Sequence, residues 1–419
     1  MVAGQGSGVH DSHLPAYLIV AHCRAGFEPE AATDLGRLAE AAGARIAVDA
    51  PVGRGFVVGN LARFDPQPWP RAFGHAPPIF VRSLFFGTGP HALFDPTATK
   101  GRPDRVAPLL NLIERSCREM PLSGFAHGAH GPATCASLRL ETPDTNDGKE
   151  LSGLTRALAA RLVNALEERG VLRATGDGAA PATTANLHVL FSDGAHAYVG
   201  TSVAPWASRW PMGIPRLRMP GGAPSRSTLK LAEALLTFLG DREPDLLRAG
   251  MRAVDLGAAP GGWTWQLARR GLAVTAVDNG PLKGAVADDP RVAHLRVDGL
   301  SYLPKRPVDW MVCDIVEQPS RIAALVARWI GEGHARHAIF NLKLPMKKRY
   351  DEVRRCEAII RDALANARVK HTLALRQLYH DREEVTGYCG CEGAVAGVPR
   401  GPRRGRQGQV SSPMMPRRR

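Results

Sequence analysis

Val254-Asp255-Leu256-Gly257-Ala258-Ala259-Pro260-Gly261-Gly262-Trp263 is the stretch that decides the fold. An apolar run ends in a glycine-bearing turn that opens a helix. Glycines let the backbone pass close to a ligand, and the helix start offers free N–H groups. Nicotinamide and flavin enzymes more often show Gly-x-Gly-x-x-Gly. Here Gly257 is followed by Gly261-Gly262 after Pro260, which departs from that fingerprint. Asp278 ends the next apolar run, 21 residues after Gly257, where an acid grips ribose hydroxyls in a doubly wound fold. Asp298 follows the third run and suits an adenine edge. A turn kept only for packing, with Asp278 as a helix cap, is the plainer reading. Turn, spacing and acid agree, and together they outweigh it.

Outward from this turn the pattern alternates. Ser225–Leu239, Thr264–Arg270, Arg321–Trp329 and Lys347–Asn366 have helical spacing. Ala253–Leu256, Ala273–Asp278, Ala293–Val297, Trp310–Cys313, His337–Leu342 and Lys370–Gln377 read as strands. The alternation predicts an α/β domain over 225–386, Rossmann-like, with a mostly parallel doubly wound sheet. The front half differs. Tyr17–Cys23, Glu28–Ala42, Ala44–Asp49 and Gly55–Leu61 suggest a small ferredoxin-like module over 1–65 after a flexible start. Pro66–Pro78 is proline-rich and reads as a boundary. A second α+β unit follows over 66–203, then a linker over 204–224. Residues 387–419 are rich in Gly, Pro and Arg and read as a disordered tail.

The chain has 419 residues, enough for two or three domains, and an apolar share of 44% that can fill real cores. It contains no run of about 18 apolar residues, so no membrane span is expected. The N-terminus lacks a basic start followed by an apolar run, so no secretory signal is expected. Seven scattered cysteines point to a reduced, cytoplasmic chain. The formal net charge of +14 favours a polyanionic partner, nucleic acid first. Seven arginines against one glutamate in 387–419 supply +6 of it. The Cys389-x-Cys391 pair has no second pair at zinc spacing, and His127–His130 sits among glycines, so no metal is expected.

Asp255-Leu256-Gly257-Ala258-Ala259-Pro260-Gly261-Gly262-Trp263 resembles the first motif of S-adenosylmethionine (AdoMet) dependent RNA 2′-O-ribose methyltransferases of the FtsJ/RrmJ type. Those enzymes carry a Lys-Asp-Lys-Glu tetrad, and Lys230, Asp314, Lys343 and Glu384 match it in order. Ser225–Leu231, Asp278–Pro281, Trp310–Asp314, Phe340–Tyr350 and Arg376–Thr386 resemble the bacterial large-subunit (23S) ribosomal RNA cytidine 2′-O-ribose methyltransferases of the RlmM type. That family has an N-terminal RNA-binding THUMP region, which the resemblance places in the front half.

The resemblance implies methyl transfer from AdoMet to a cytidine 2′-hydroxyl of 23S ribosomal RNA, before full subunit assembly, by a monomer. It makes Lys343 the proton acceptor, with Lys230, Asp314 and Glu384 orienting the ribose and tuning Lys343. It places the cofactor on Ser227, Ala259, Pro260, Gly261, Gly262, Asp278, Asp298 and Asp314. The chemistry agrees. A ribose hydroxyl must lose its proton as it attacks a sulfonium methyl, and a lysine accepts a proton only when its ammonium form is disfavoured. Two lysines in one site are expected to lower the pKa of one.

Other methyl acceptors fit less well. Cys313-Asp314-Ile315-Val316 offers no Asn-Pro-Pro-Tyr motif for base amines, and Cys313 reads as a core residue. Lys343, Lys347, Lys348 and Arg349 cluster and read as a phosphate grip rather than as a solvated first helical turn. Trp206, Arg209, Trp210, Arg216 and Arg218 either stack on and pair with RNA or dock the two halves. The tail conflicts with the family. Gly387–Gly393 interrupts an expected strand, by a changed reading frame or natural divergence. A lost strand would misplace Glu384 and leave an impaired RNA-binding protein. That reading, and 2′-O-methylation of another RNA, are the alternatives.

Overall fold

The computed structural model describes residues 17–63, 65–97, 101–119, 134–173, 185–204 and 206–391. At the front, β1 (Tyr17–His22), α1 (Glu28–Ala41), β2 (Ile46–Asp49), β3 (Phe56–Leu61), α2 (Trp69–His75) and β4 (Ser83–Ala92) succeed one another. The four strands pair antiparallel in the order β2-β3-β1-β4, the ferredoxin-like arrangement. The module therefore runs to Ala92, and the expected boundary at residue 65 is corrected. The prolines that suggested a boundary lie in and beside α2. Pro68 caps it and Pro70 sits in its first turn, where a missing N–H costs nothing. Trp69 on the same turn is buried edge-on against Phe86 at 5.0 Å.

The chain continues through α3 (Val106–Glu119), β5 (Ser137–Glu141), α4 (Asn146–Glu150), α5 (Ser152–Glu168), β6 (Asn186–Phe191) and β7 (His196–Ser202). β4 pairs with β1 on one side and β7 on the other, which merges the two front units into one seven-stranded sheet, β2-β3-β1-β4-β7-β6-β5.

The second sheet forms after α6 (Thr228–Phe238) and α7 (Glu243–Leu246). Its elements are β8 (Arg252–Leu256), α8 (Gly262–Ala268), β9 (Ala273–Val277), β10 (Val292–Leu295), β11 (Val308–Cys313), α9 (Pro319–Gly331), β12 (Ala335–Lys343), α10 (Arg349–Asn366), β13 (His371–Arg376) and β14 (Glu384–Cys391). The order is β10-β9-β8-β11-β12-β14-β13. The first five strands are parallel and β14 runs antiparallel to both its neighbours. The expected α/β architecture stands. β8, β11 and β12 are buried along most of their length, hence their near-continuous apolar sequences, whereas β10 at the margin is only partly covered.

The expected break after Thr386 does not occur. β14 continues through Gly387-Tyr388-Cys389-Gly390 to Cys391. The glycines that argued against a strand are covered by aromatic rings. Gly387 lies opposite Phe340 in the register, and a Cβ there would stand 2.3 Å from Phe340 Cζ. Gly390 is covered by the Tyr388 side chain in the same way. Residues 392–419, the start before Tyr17 and His127–His130 lie outside the described residues.

The front module meets the second sheet at the loop before β14. Arg24 donates to the Asp381 carbonyl at 2.7 Å and to that of Tyr379 at 3.3 Å. Gln377 N donates to Ile79 O at 2.8 Å, and Arg376 Nη1 to Val81 O at 2.9 Å. From α6, Glu233 accepts the backbone N–H groups of Tyr379 and His380, both at 2.8 Å. Among the described residues no helix is long and apolar enough to cross a membrane.

Candidate active site

Parallel strands present their C-terminal ends along one edge, and ligands bind there. β8 ends in the glycine turn, β11 ends at Cys313 just before Asp314, and β12 ends at Lys343. In the turn, Gly257 has φ +78° and Gly261 φ +113°, conformations that L side chains rarely adopt. A Cβ on Gly257 would also meet Ile315 at 2.8 Å. Gly262 packs against Ser227, which places the start of α6 beside the turn. The Ser227 hydroxyl lies 2.7 Å from that of Ser225, and its carbonyl accepts from Trp263 Nε1 at 3.0 Å.

Asp278 braces this turn with both oxygens. Oδ2 accepts from Ala259 N at 2.9 Å and Oδ1 from Gly280 N at 2.7 Å. The carboxylate thus stands half-buried beside Ala259 and Pro260, with lone pairs left for ligand hydroxyls. Asp298 is exposed and accepts from Leu300 N at 3.1 Å, so it caps its own turn at the end of the same edge. Asp255 is fully buried and accepts from Thr264 Oγ1 at 2.6 Å. Burial pushes its pKa up to about 7.

The four tetrad residues converge. Lys343 Nζ lies 2.5 Å from Asp314 Oδ1 and contacts Glu384 Oε2. Lys230 Nζ contacts Glu384 Oε1 and lies 3.6 Å from Asp314 Oδ2. Side-chain exposures of 17% for Lys230, 14% for Asp314, 23% for Lys343 and 7% for Glu384 leave the lysines within reach of a ligand. A cavity of about 660 Å³ reaches the cluster at its Lys230–Glu384 edge, bordered by Met219, Arg226, Leu229, His380 and Arg382.

One electrostatic expectation is corrected. Burial pulls the Lys343 pKa down, but the carboxylates of Asp314 and Glu384 outweigh it and push it up to about 12. The neighbouring lysine does not lower it, because each lysine is matched by the two acids between them.

The sequence reading missed the residues behind the tetrad. Asn341 Nδ2 donates to Asp314 Oδ1 at 3.0 Å, and Thr386 Oγ1 lies 2.7 Å from Asn341 Oδ1. Both are fully buried. A polar Asn341 inside the apolar run of β12 was the available signal. Arg349 is an interdomain strut: it donates to Gly26 O at 2.9 Å and lies 4.2 Å over the Phe27 ring. Lys347 and Lys348 stay exposed. In the linker, Trp206 is buried and stacked on Phe73 at 5.3 Å, and Arg209 pairs with Asp241 at 3.1 Å. Trp206 thus packs within the front half, and the Arg209–Asp241 pair is an exposed link to the second half. Among the described residues no group of three or more His, Cys, Asp or Glu is placed to hold a metal.

The family model for the N-terminal region of ribosomal RNA large subunit methyltransferase M matches residues 104–203. The FtsJ-like methyltransferase model matches residues 223–368. The chain is 47% identical to the ribosomal RNA large subunit methyltransferase M of Azoarcus sp. (strain BH72) over 386 residues, 90% of this chain and 98% of that one. It is 45% identical to the protein of the same name from Methylococcus capsulatus over 382 residues, 88% and 97% of the two chains. The chain belongs to the ribosomal RNA large subunit methyltransferase M family.

It is an AdoMet-dependent methyltransferase, and the glycine turn with Asp278 fits that cofactor. Among solved structures, Aeropyrum pernix fibrillarin with bound S-adenosyl-L-methionine aligns with 48% of this chain and 81% of its own at 16% identity, TM-score 0.29. The FtsJ-like match ends at residue 368, so Glu384 lies beyond it. β14 nevertheless brings Glu384 to the site as the fourth member.

Proposed function

We propose that this member of the M family transfers the methyl group of AdoMet to the 2′-hydroxyl of a cytidine in 23S ribosomal RNA, with Lys343 taking the proton. The observation that carries this reading is the meeting of Lys230, Asp314, Lys343 and Glu384 in one charge-balanced cluster beside the glycine turn. Bound AdoMet supplies an electrophilic methyl on a sulfonium. The ribose oxygen forms the new O–CH3 bond, the CH3–S bond breaks, and the 2′-proton leaves to Lys343 Nζ. The ribose and cytidine assignments rest on the tetrad order and the longer family strings. The cavity beside Lys230 and Glu384 is of a size to admit a nucleoside.

Lys343 must lose its own proton before it accepts another. A cationic ligand beside Asp314 weakens that acid's hold on the ammonium, which moves the pKa in the required direction. A second reading is favoured by the raised pKa itself. In it Lys343 stays an ammonium that stabilises the developing alkoxide, and a carboxylate takes the proton. The front half is the proposed RNA-binding, THUMP-like part, and the substrate is RNA before full subunit assembly. The test is methylation of ribosomal RNA by the purified chain, mapped by ribose-methylation-sensitive sequencing. Methyl groups found only on bases, or on no cytidine ribose, would overturn the proposal.

A further inference from the structure

Behind the tetrad, hydrogens can be counted. Asp314 faces two lysine ammoniums and only accepts, so the Asn341 group 3.0 Å from it must be the amide nitrogen. The Asn341 oxygen then points at Thr386 Oγ1, 2.7 Å away, and can only accept. The single hydroxyl proton of Thr386 is committed to that bond. Thr386 Oγ1 also lies 2.8 Å from Asp381 Oδ2. Two oxygens at that distance need a proton between them, and Thr386 has none left. The proton must come from Asp381.

From this count we infer that Asp381 is a neutral carboxylic acid at neutral pH and a positioning residue: its O–H, relayed through Thr386 and Asn341, fixes the Asp314 carboxylate against Lys343.

The surroundings agree. Asp381 is fully buried. Among the described residues no cation touches its carboxyl: Arg24 reaches only its backbone carbonyl, at 2.7 Å. The partner of Oδ2 besides Thr386 is Leu378 N, at 3.0 Å, and Oδ1 has no partner among the described residues. The charged groups nearest in effect are Glu384 and Glu233, both acids. A buried carboxylate with no counter-charge and two acids nearby is unfavourable, and its neutral form is the way out. Burial first, then Glu384, pushes its pKa well above the usual carboxylate range. A hydroxyl oxygen both donates to Thr386 and accepts from Leu378 N–H, so the neutral acid satisfies both neighbours.

Its site in the chain gives the relay a purpose. Asp381 sits in the loop clamped by Arg24 of the front module and by Glu233 of α6. Docking of the front module is thereby passed, one hydrogen bond at a time, to the acid that holds Lys343.

The decisive measurement is the infrared difference spectrum between the full-length protein and Asp381→Asn at neutral pH. A carboxylic acid C=O band, shifted in deuterium oxide and missing from Asp381→Asn, is expected. A carboxylate band in its place overturns the proposal. This arm does not depend on the reaction assigned above and needs no activity. The kinetic arm rests on that reading. Asp381→Ala and Thr386→Val should each lower kcat by about 10- to 100-fold, with AdoMet affinity unchanged. The double variant should be no worse than either alone, because both break one chain. Asp381→Asn keeps an N–H donor toward Thr386 but no acceptor for Leu378 N–H at the same atom, and should recover part of the rate lost in Asp381→Ala. Wild-type kcat in Thr386→Val, or additive losses, would overturn the positioning role. Should the unaltered protein methylate no ribose, the functional reading fails while the infrared result still decides the protonation.

Discussion

Lys343 and Glu384 face each other directly across the β12–β14 register, each at the end of its strand. One carboxylate, Glu384, reaches both Lys343 and Lys230, and Asp314 spans the same two lysines from the other side. Two acids and two bases balance in a space that is mostly closed to solvent. Removing any one leaves a partly buried charge without its match, which costs more than the lost contact alone.

Lys343→Ala should lower methyl transfer by at least about 10²-fold, the lower bound of general-base contributions. The glycine turn and Asp278 do not touch Lys343, so AdoMet affinity should stay close to that of the unaltered protein. Single-turnover rates and calorimetric titration separate the two. Equal transfer by the variant would remove Lys343 from the chemistry.

Glu384→Gln tests which form of Lys343 works. Asp314 and Glu384 hold its pKa at about 12 against the opposing pull of burial. If the neutral amine is the working form, the rate rises with pH. Removing one anion lowers the pKa, so the rising limb should move to lower pH. A limb that stays in place or moves to higher pH supports the ammonium reading instead.

Gly387→Val should destabilise the fold. A Cβ there would stand 2.3 Å from Phe340 Cζ, inside a buried strand. Overpacking of this kind costs about 1–3 kcal/mol, read as a lower melting temperature. Phe340→Ala in the same background should recover part of the loss.

Asp255→Asn should flatten the pH dependence of stability. The folded pKa, pushed up by burial to about 7, lies above the ordinary value of 3.8. The folded state therefore holds this proton more tightly than the unfolded chain. Its stabilising contribution is complete below the unfolded pKa and is lost as pH rises through about 7. Melting curves of the ligand-free protein should fall across that window, and those of Asp255→Asn should fall less, by on the order of a few kcal/mol.

Arg24→Ala should slow methyl transfer without loosening AdoMet. The guanidinium ties the front module to the carbonyls of Asp381 and Tyr379, far from the glycine turn in the chain. A fall in kcat with unchanged cofactor affinity is expected. Equal losses in both would mean that the variant disturbs the whole fold.

The parallel sheet was legible in the sequence because its signals are local, and of the tetrad only Lys343 was, the other three members coming from the family resemblance. Apolar runs mark the strands, and the odd lysine after Phe340-Asn341-Leu342 stands out against them. Two elements were hidden. α2 carries prolines that usually mark a boundary, yet they occupy its first turn, where they do no harm. β14 is glycine-rich because Phe340 and Tyr388 fill the space a side chain would take, a fact about neighbours that a linear reading does not contain. Thr386, Asn341 and Asp381 escaped notice because their hydrogen bonds span up to 45 residues. The raised pKa of Lys343 depends on two acids from separate strand ends, and only their distances settle its sign.

β14 lies between β12 and β13, not at the margin of its sheet. The last described strand of the chain is therefore slotted into a place its earlier neighbours must leave open. A ribosome that has made the protein only as far as β13 has produced the glycine turn, Asp278, Asp314 and both lysines, but not Glu384. Such a nascent chain has a cradle for the methyl donor and no complete tetrad. The four-residue cluster is therefore completed late, only when β14 closes the gap and brings Glu384 to the two lysines.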